Sequence, residues 1–217
     1  IQMILGLGMS GIALTGSDVG GFTGGPSPEL FARWMQLGAF SPFYRAHSMI
    51  GSPDQEPWAF GPEVEAINRK YLELRYQLLP YIYTATWQAA QSGAPLARAL
   101  VLCFPDDPAV VDRDDEYLFG DALLVAPVVT EGATEREVYL PAGEWYDFWS
   151  EERFDGPGMI TVQAPLDRLP LFVKGGAVIP MWPVQQYVGE DTAPVLTLAA
   201  YPANGEHQSV LYEDDGA

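Results

Sequence analysis

The chain has 217 residues, 48% of them hydrophobic, enough for one large or two modest globular domains. Its formal charge of −18 argues against nucleic acid as a partner, because an acidic surface repels a phosphate backbone. The charge is uneven, −2 over residues 1–95 and −16 over residues 96–217, which marks a domain boundary near Gly93-Ala94-Pro95. Cys103 is the single cysteine, so no intrachain disulfide and no cysteine zinc cluster can form; in its apolar run it reads as a buried structural thiol. No apolar run reaches the ~18–20 residues that span a bilayer, so no membrane is expected as a partner. No basic leader precedes Ile1, which leans the compartment towards the cytoplasm, and the chain opens without methionine, as a fragment would.

Taken in order, Gly6-Leu7-Gly8-Met9-Ser10-Gly11 matches the dinucleotide pattern G-x-G-x-x-G. That pattern needs a strand before it and a helix after it, whereas a strand-like, glycine-broken stretch follows here, so nucleotide binding is not expected. Gly11-Ile12-Ala13-Leu14-Thr15 is short and apolar, as a buried parallel strand would be, and Asp18 then falls at its C-terminal end. Gly20-Gly21 lets the chain turn sharply. Ser27-Pro28-Glu29 opens a helix whose apolar face is Leu30, Phe31, Trp34 and Leu37, with Gly38 as its stop and Trp34 as core packing. A second short segment leads through Pro42-Phe43-Tyr44 into Arg45 and His47, completing a strand–helix–strand unit of a parallel sheet.

Residues 48–61 form a loop rich in Pro and Gly. Pro62-Glu63 starts the longest helix, with Val64, Ile67, Tyr71, Leu74 and Leu78 on one face, a kink at Pro80 and an end at Ser92-Gly93. Beyond Pro95 the helical period disappears. Short apolar runs over residues 122–129, 137–140, 159–162, 171–173, 177–180 and 195–201 predict an antiparallel sandwich, with Pro141-Ala142-Gly143 as a turn. Glu213-Asp214-Asp215 lacks the alternating spacing of a calcium loop and reads as a solvated turn.

Asp18, Arg45 and His47 are the groups around the first loop that could do chemistry. Arg45 and His47 share one face of an extended segment, and Arg45 has a nearby carboxylate to pair with. A Ser17, His47, Asp18 triad is discounted, since adjacent Ser and Asp would have to serve opposite sides of one imidazole. His207, the other histidine, lies in a polar turn, so no multi-histidine metal site is expected.

Several motifs carry a family resemblance. Gly16-Ser17-Asp18-Val19-Gly20-Gly21-Phe22, Arg33-Trp34, Pro42-Phe43-Tyr44-Arg45-Ala46-His47 and Glu56-Pro57-Trp58 closely resemble glycoside hydrolase family 31, the α-glucosidases and α-xylosidases. The resemblance continues in order through Leu74-Arg75-Tyr76, Phe119-Gly120-Asp121-Ala122-Leu123, Gly143-Glu144-Trp145-Tyr146-Asp147, Gly175-Gly176-Ala177 and Tyr212-Glu213-Asp214-Asp215-Gly216. It implies an α/β plus all-β chain. Residues 1–94 would be the last strand–helix units of a (β/α)8 TIM barrel, 95–189 a proximal β-sandwich, and 190–217 the start of a distal β-domain.

The resemblance also implies a pocket for a terminal α-glucosyl unit, in an α-glucoside or α-xyloside oligosaccharide. Asp18 would line it, Phe22 would wall it, His47 would hydrogen-bond a sugar hydroxyl and Arg45 would brace the site. No cofactor and no metal are implied. The family's nucleophile and acid/base motifs do not occur in these 217 residues, and a retaining glycosidase needs both carboxyls ~5–5.5 Å apart. No residue here is therefore expected to be catalytic, and the chain alone is expected to be inactive while its parent hydrolyses glycosides. A rival expectation is a stand-alone β-sandwich module, either structural or binding carbohydrate through Trp145, Trp149 and Trp182.

Overall fold

The glycines of the opening stretch do not form a phosphate loop. In the computed structural model, which describes residues 1–215, helix α1 (Gln2–Met9) contains Gly6 and Gly8. Gly8 allows close packing: a Cβ there would stand 3.0 Å from Pro95 Cβ and 3.3 Å from the Ala97 carbonyl. With a helix where the motif needs a strand, the dinucleotide reading fails on geometry. Gly216, the end of the last quoted motif, lies outside the described residues.

No strand forms over residues 11–15 either. Ile12 and Leu14 are exposed, and the first ladder is β1 (Asp18–Val19), so Asp18 opens the strand instead of ending it. β1 pairs in parallel with β2 (Arg45–Ala46), with Asp18 opposite Arg45 and Val19 opposite Ala46. Upstream of that pair, the Phe43 N–H donates to the Thr15 carbonyl at 3.0 Å. One such bond, with no burial for Ile12 and Leu14, does not make a strand. The two strands stand as a parallel pair, and no closed barrel is present among the described residues.

Helix α2 (Pro28–Ala39) lies between them and begins as its sequence dictates. Ser27 Oγ accepts the Leu30 N–H at 3.2 Å, Pro28 takes the first helical position and Glu29 lies in the first turn. Its inward face differs from the expected one. Phe31, Ala32, Met35 and Ala39 are buried, Trp34 and Leu37 are half-buried, Leu30 is exposed, and the helix runs one residue past Gly38. The rotation follows from two buried polar residues. Arg33 Nη1 donates to the Pro165 and Arg168 carbonyls (3.1 and 3.2 Å) and Nη2 to those of Ala133 and Ala164 (3.2 and 2.8 Å). Gln36 Nε2 donates to the Leu166 carbonyl.

Helix α3 (Pro62–Gln77) buries Val64, Ile67, Tyr71 and Leu74, and Leu78 is buried at the break before α4 (Leu79–Ser92). Pro80 sits in the first turn of α4, and Gly93 ends it in the left-handed conformation (φ 75°), as the sequence predicts. At the break, the Gln77 carbonyl accepts the Trp182 N–H at 2.8 Å.

The second half is antiparallel. Strand β3 (Ala97–Ala99) leads into the short helix α5 (Leu100–Cys103), where Cys103 is half-buried and burial pushes its thiol pKa up. Strands β4 (Tyr117–Phe119), β5 (Leu123–Val125), β6 (Glu135–Asp147), β7 (Arg153–Gln163) and β8 (Leu171–Lys174) join β3 in one sheet of order β3-β4-β5-β8-β6-β7. Strands β9 (Val178–Met181) and β10 (Thr197–Ala200) form a separate antiparallel pair. Residue alternation sorts the large sheet into two cores. Tyr117, Phe119, Leu123, Val125, Leu171 and Val173 share one with the helices, whereas Leu118, Leu124 and Phe172 join Val138, Leu140 and Trp145 in the other. Burial on both faces is why β5 and β8 read as unbroken apolar runs, while β4, buried in the same way, lies outside the expected ones.

The expected turn at Pro141-Ala142-Gly143 is a bulge inside β6, where the register jumps between Leu140 and Gly143. Gly156 on β7 makes it possible, since a Cβ there would run into the Pro141 carbonyl.

Arg33 predicts its own effect. Arg33→Ala would leave four loop carbonyls without that donor, and a urea melt is expected to show a loss of about 2–4 kcal/mol. Arg33→Lys should recover little of it, because an ammonium does not spread over four acceptors. A wild-type midpoint in both variants would overturn this role.

A second prediction concerns pH. Glu116, just before β4, is fully buried; both its oxygens accept the Tyr139 N–H (3.2 Å each), and Arg113 lies at 3.3 Å. Burial pushes its carboxyl up to about 7, against the pull of Arg113. A folded pKa above the unfolded one stabilises the protein at low pH, and that contribution is lost as pH rises through about 7. Stability should therefore fall from about pH 5 to about pH 8 by on the order of 2–3 kcal/mol. Glu116→Gln should flatten that part of the profile, and an unchanged slope would refute the assignment.

Candidate functional site

The site is built on one tight turn. The Gly21 N–H donates to the Asp18 carbonyl at 2.8 Å, closing a four-residue turn with Gly20 in third place at φ 90°. A positive φ at that position is the type II pattern, which calls for glycine. Gly20 is also sterically enclosed: a Cβ would overlap Gln55 Oε1 and stand 3.0 Å from the Phe31 ring. Phe22 follows, and its carbonyl accepts the Met49 N–H at 2.8 Å.

Across the parallel pair, Arg45 Nη2 reaches Asp18 Oδ1 at 2.9 Å; the side chains are 49% and 28% exposed, so this ion pair faces solvent. Beside it the Phe22 ring stacks on the His47 imidazole, centroids 5.5 Å apart and planes 28° from parallel. The four residues singled out from sequence thus come together as an ion pair and a ring stack. The Arg45 guanidinium also lies 5.5 Å from the Phe43 ring centroid.

The segment that delivers Arg45 is held from behind. Arg75 Nη1 donates to the Ala39 and Ser41 carbonyls (2.8 and 2.7 Å) and Nη2 to that of Pro42 (3.1 Å). Burial lowers its pKa to about 10, which still leaves it charged at neutral pH. Gly38 has no room for a side chain because the Tyr44 ring lies where its Cβ would be.

Two further residues support the turn. Trp34, read from sequence as core, donates its indole N–H to Ser17 Oγ at 2.9 Å, and its ring would lie 3.7 Å from a Cβ at Gly21. Ser17 Oγ accepts that bond, and no hydrogen bond joins it to His47 among the described residues, so the triad is not formed. Gln55 donates from Nε2 to the Gly21 carbonyl at 3.3 Å. No periodicity in its proline-rich loop signals that burial; the Ser17–Trp34 contact follows only from knowing that α2 packs under β1.

Elsewhere the candidates are structural. Trp145 is fully buried and donates to the Pro141 carbonyl (2.8 Å), and Trp149 donates to that of Leu169 (2.7 Å) with Lys70 Nζ 4.5 Å from its ring centroid. Both are committed to packing, which weakens the binding-module reading. His207 Nε2 lies 2.9 Å from the Asn204 carbonyl and its ring covers Gly176. Among the described residues, no group of three His, Cys, Asp or Glu could hold a metal ion, and no helix is long and apolar enough to cross a membrane. A cavity of about 190 Å³ lies apart from the site, between α4, Asp121 and residues 207–210.

Chemically, the cluster offers a carboxylate to accept hydroxyl hydrogens, a guanidinium and an imidazole to donate, and a ring face to meet apolar C–H surface. Groups of these kinds can pair with the hydroxyls and C–H faces of a polyhydroxylated molecule. The cluster is carried by helices and a short parallel strand pair, followed by an antiparallel β half. Two family models match in tandem, the glycosyl hydrolases family 31 TIM-barrel domain over residues 1–85 and the glycosyl hydrolase family 31 C-terminal domain over residues 93–179.

Individual relatives agree. Alpha-glucosidase 2 of Bacillus thermoamyloliquefaciens is 43% identical over 217 residues, 100% of this chain and 27% of that protein. The alpha-xylosidase of Saccharolobus solfataricus is 42% identical over 98% of this chain and 29% of its own length. A family 31 dextranase mutant of Flavobacterium johnsoniae, solved with isomaltotriose, superposes with a TM-score of 0.94 at 42% identity, over 98% of this chain and 27% of that one. The chain belongs to glycoside hydrolase family 31, and it spans 23–29% of the length of these and similar curated relatives.

Asp18 and Gly38 should separate site from scaffold. Asp18→Asn breaks a solvent-facing ion pair and is expected to change stability by less than about 1 kcal/mol. Gly38→Ala forces the Tyr44 ring aside and should cost about 1–3 kcal/mol. Thermal melts check both, and equal midpoints for the two variants would contradict this division.

Proposed function

We propose that this chain is part of a retaining α-glycosidase, an α-glucosidase, that removes terminal non-reducing α-linked glucosyl residues from oligosaccharides. Residues 1–94 belong to its catalytic barrel as the last strand–helix units, 95–189 to a proximal β-sandwich and 190–217 to the beginning of a distal β-domain. The observation that carries the reading is the paired arrangement of Asp18 with Arg45 and Phe22 with His47 at one turn, within a chain of this family. Asp18 accepts sugar hydroxyls, and Arg45 orients that carboxylate. His47 donates to or accepts from a hydroxyl, while Phe22 holds its ring and walls the subsite.

None of the four is assigned a bond-breaking role. Double displacement needs a nucleophile and an acid/base ~5–5.5 Å apart, and the four residues supply one carboxylate between them. Binding and bond cleavage are therefore divided along the parent sequence, with this chain contributing to substrate recognition.

The test has two parts. The complete reading frame, assayed on aryl α-glucosides, is expected to release glucose with retained anomeric configuration, whereas residues 1–217 alone release none. In NMR titrations of the 217-residue chain, isomaltotriose is expected to move the signals of Asp18, Phe22, Arg45 and His47. Shifts confined to the β-sandwich, or inverted product stereochemistry, would refute the proposal.

A further inference from the structure

Gln55 occupies an unusual place. The residues on either side of it, Pro53, Asp54 and Glu56, are exposed, yet its side chain turns inward and is 6% exposed. Its Nε2 donates to the Gly21 carbonyl, and its Oε1 lies against the open side of Gly20. Gly20 and Gly21 both have positive φ (90° and 91°), and neither has a side chain with which to anchor itself. The course of the chain into Phe22 is therefore set by what presses on the turn from outside. Phe31 and Trp34 of α2 do so from one helix, and Gln55 does so from the loop.

That loop is itself fastened. Asn68 of α3 donates from Nδ2 to the Pro57 carbonyl at 2.8 Å, and the Ala59 N–H closes on the Glu56 carbonyl at 2.9 Å. Gln55 thus connects the rigid α3 to the glycine turn that presents Phe22.

Stability alone does not account for this residue. Its Oε1 is buried and finds no donor among the described residues. A buried amide oxygen left unpaired opposes folding, and an apolar side chain of similar length would not carry that penalty. The amide retains one evident use, which is its bond to Gly21.

We infer that Gln55 is a positioning residue that latches the Gly20–Gly21 turn, so that Phe22 stacks on His47 and the sugar-facing wall keeps its shape. The consequence for sugar binding rests on the reading of Phe22 and His47 given above; the latch itself does not.

The test uses the full chain. In the wild type, the Phe22 ring current is expected to displace the His47 ring-proton resonances. Gln55→Met keeps the length and loses the donor, so those resonances should return towards free imidazole values while the thermal midpoint stays the same or rises. Gly20→Ala, which pushes Gln55 away from the other side, should produce the same change. If Gln55→Met does not fold, Gln55→Asn carries the same readout, since it keeps the amide but falls a methylene short of Gly21. A wild-type His47 spectrum in the folded variants overturns the latch.

An isomaltotriose titration then separates the two claims. Loss of the stack with binding weakened about tenfold supports both. Loss of the stack with unchanged affinity keeps the latch and removes the sugar role of Phe22 and His47.

Discussion

The arrangement of this chain depends on two buried guanidinium groups whose hydrogen bonds go to backbone carbonyls. Loop carbonyls have no ladder or helix to satisfy them, and buried ones must find donors elsewhere. Arginine suits that task because its planar fork presents several N–H groups at fixed angles and stays charged even when burial lowers its pKa. Arg33 gathers four carbonyls between Ala133 and Arg168, and Arg75 gathers three between Ala39 and Pro42. The first binds α2 to the β half. The second holds the approach to β2.

Buried tyrosines extend the same logic. Tyr71 accepts the Leu169 N–H, Tyr81 donates to the Phe119 carbonyl and accepts the Ala122 N–H, and Tyr117 donates to the Phe40 carbonyl. Each hydroxyl crosses between the helical half and the sheet, and each ring fills the core they share. The apolar centre supplies the drive to associate, while these directional bonds select one way of doing so. The core that the two halves share, from Ile4 to Ile179, is the result.

What could be read in the sequence was whatever depends on near neighbours. The Ser27 cap, the Pro80 break and the Gly93 stop are chemistry within a few residues, and the structure contains all three. Strands β5 and β8 were legible because burial on both faces leaves an unbroken apolar run, whereas β4 lies outside the runs expected from sequence. The failures share another cause. Residues 11–15 have a strand's composition but lack the pairing a strand needs, and β6 continues through Pro141-Ala142-Gly143 because Gly156 on the neighbouring strand leaves space. The face of α2 was misjudged because Arg33 and Gln36 are buried by carbonyls about a hundred or more positions away. At the site, family motifs pointed to Asp18, Phe22, Arg45 and His47, but Trp34 read as core and Gln55 gave no local signal.

The site itself has little secondary structure to stand on. Its ladder is two residues long on each strand, and both pairs of interacting side chains are substantially exposed. A surface ion pair is worth little energy, so Asp18 and Arg45 do not hold their own geometry. The order must come from behind: Arg75 on the carbonyls before Tyr44, Trp34 on Ser17, and the Tyr117 hydroxyl on Phe40. Tyr117 belongs to the β sheet, and so does the Phe119 ring that lies 5.7 Å from the Arg75 guanidinium. The β half is therefore more than an appendage to the barrel segment. It supplies part of the support on which a recognition site of exposed, weakly coupled side chains keeps its shape, and loosening that interface should loosen the site before it unfolds either half.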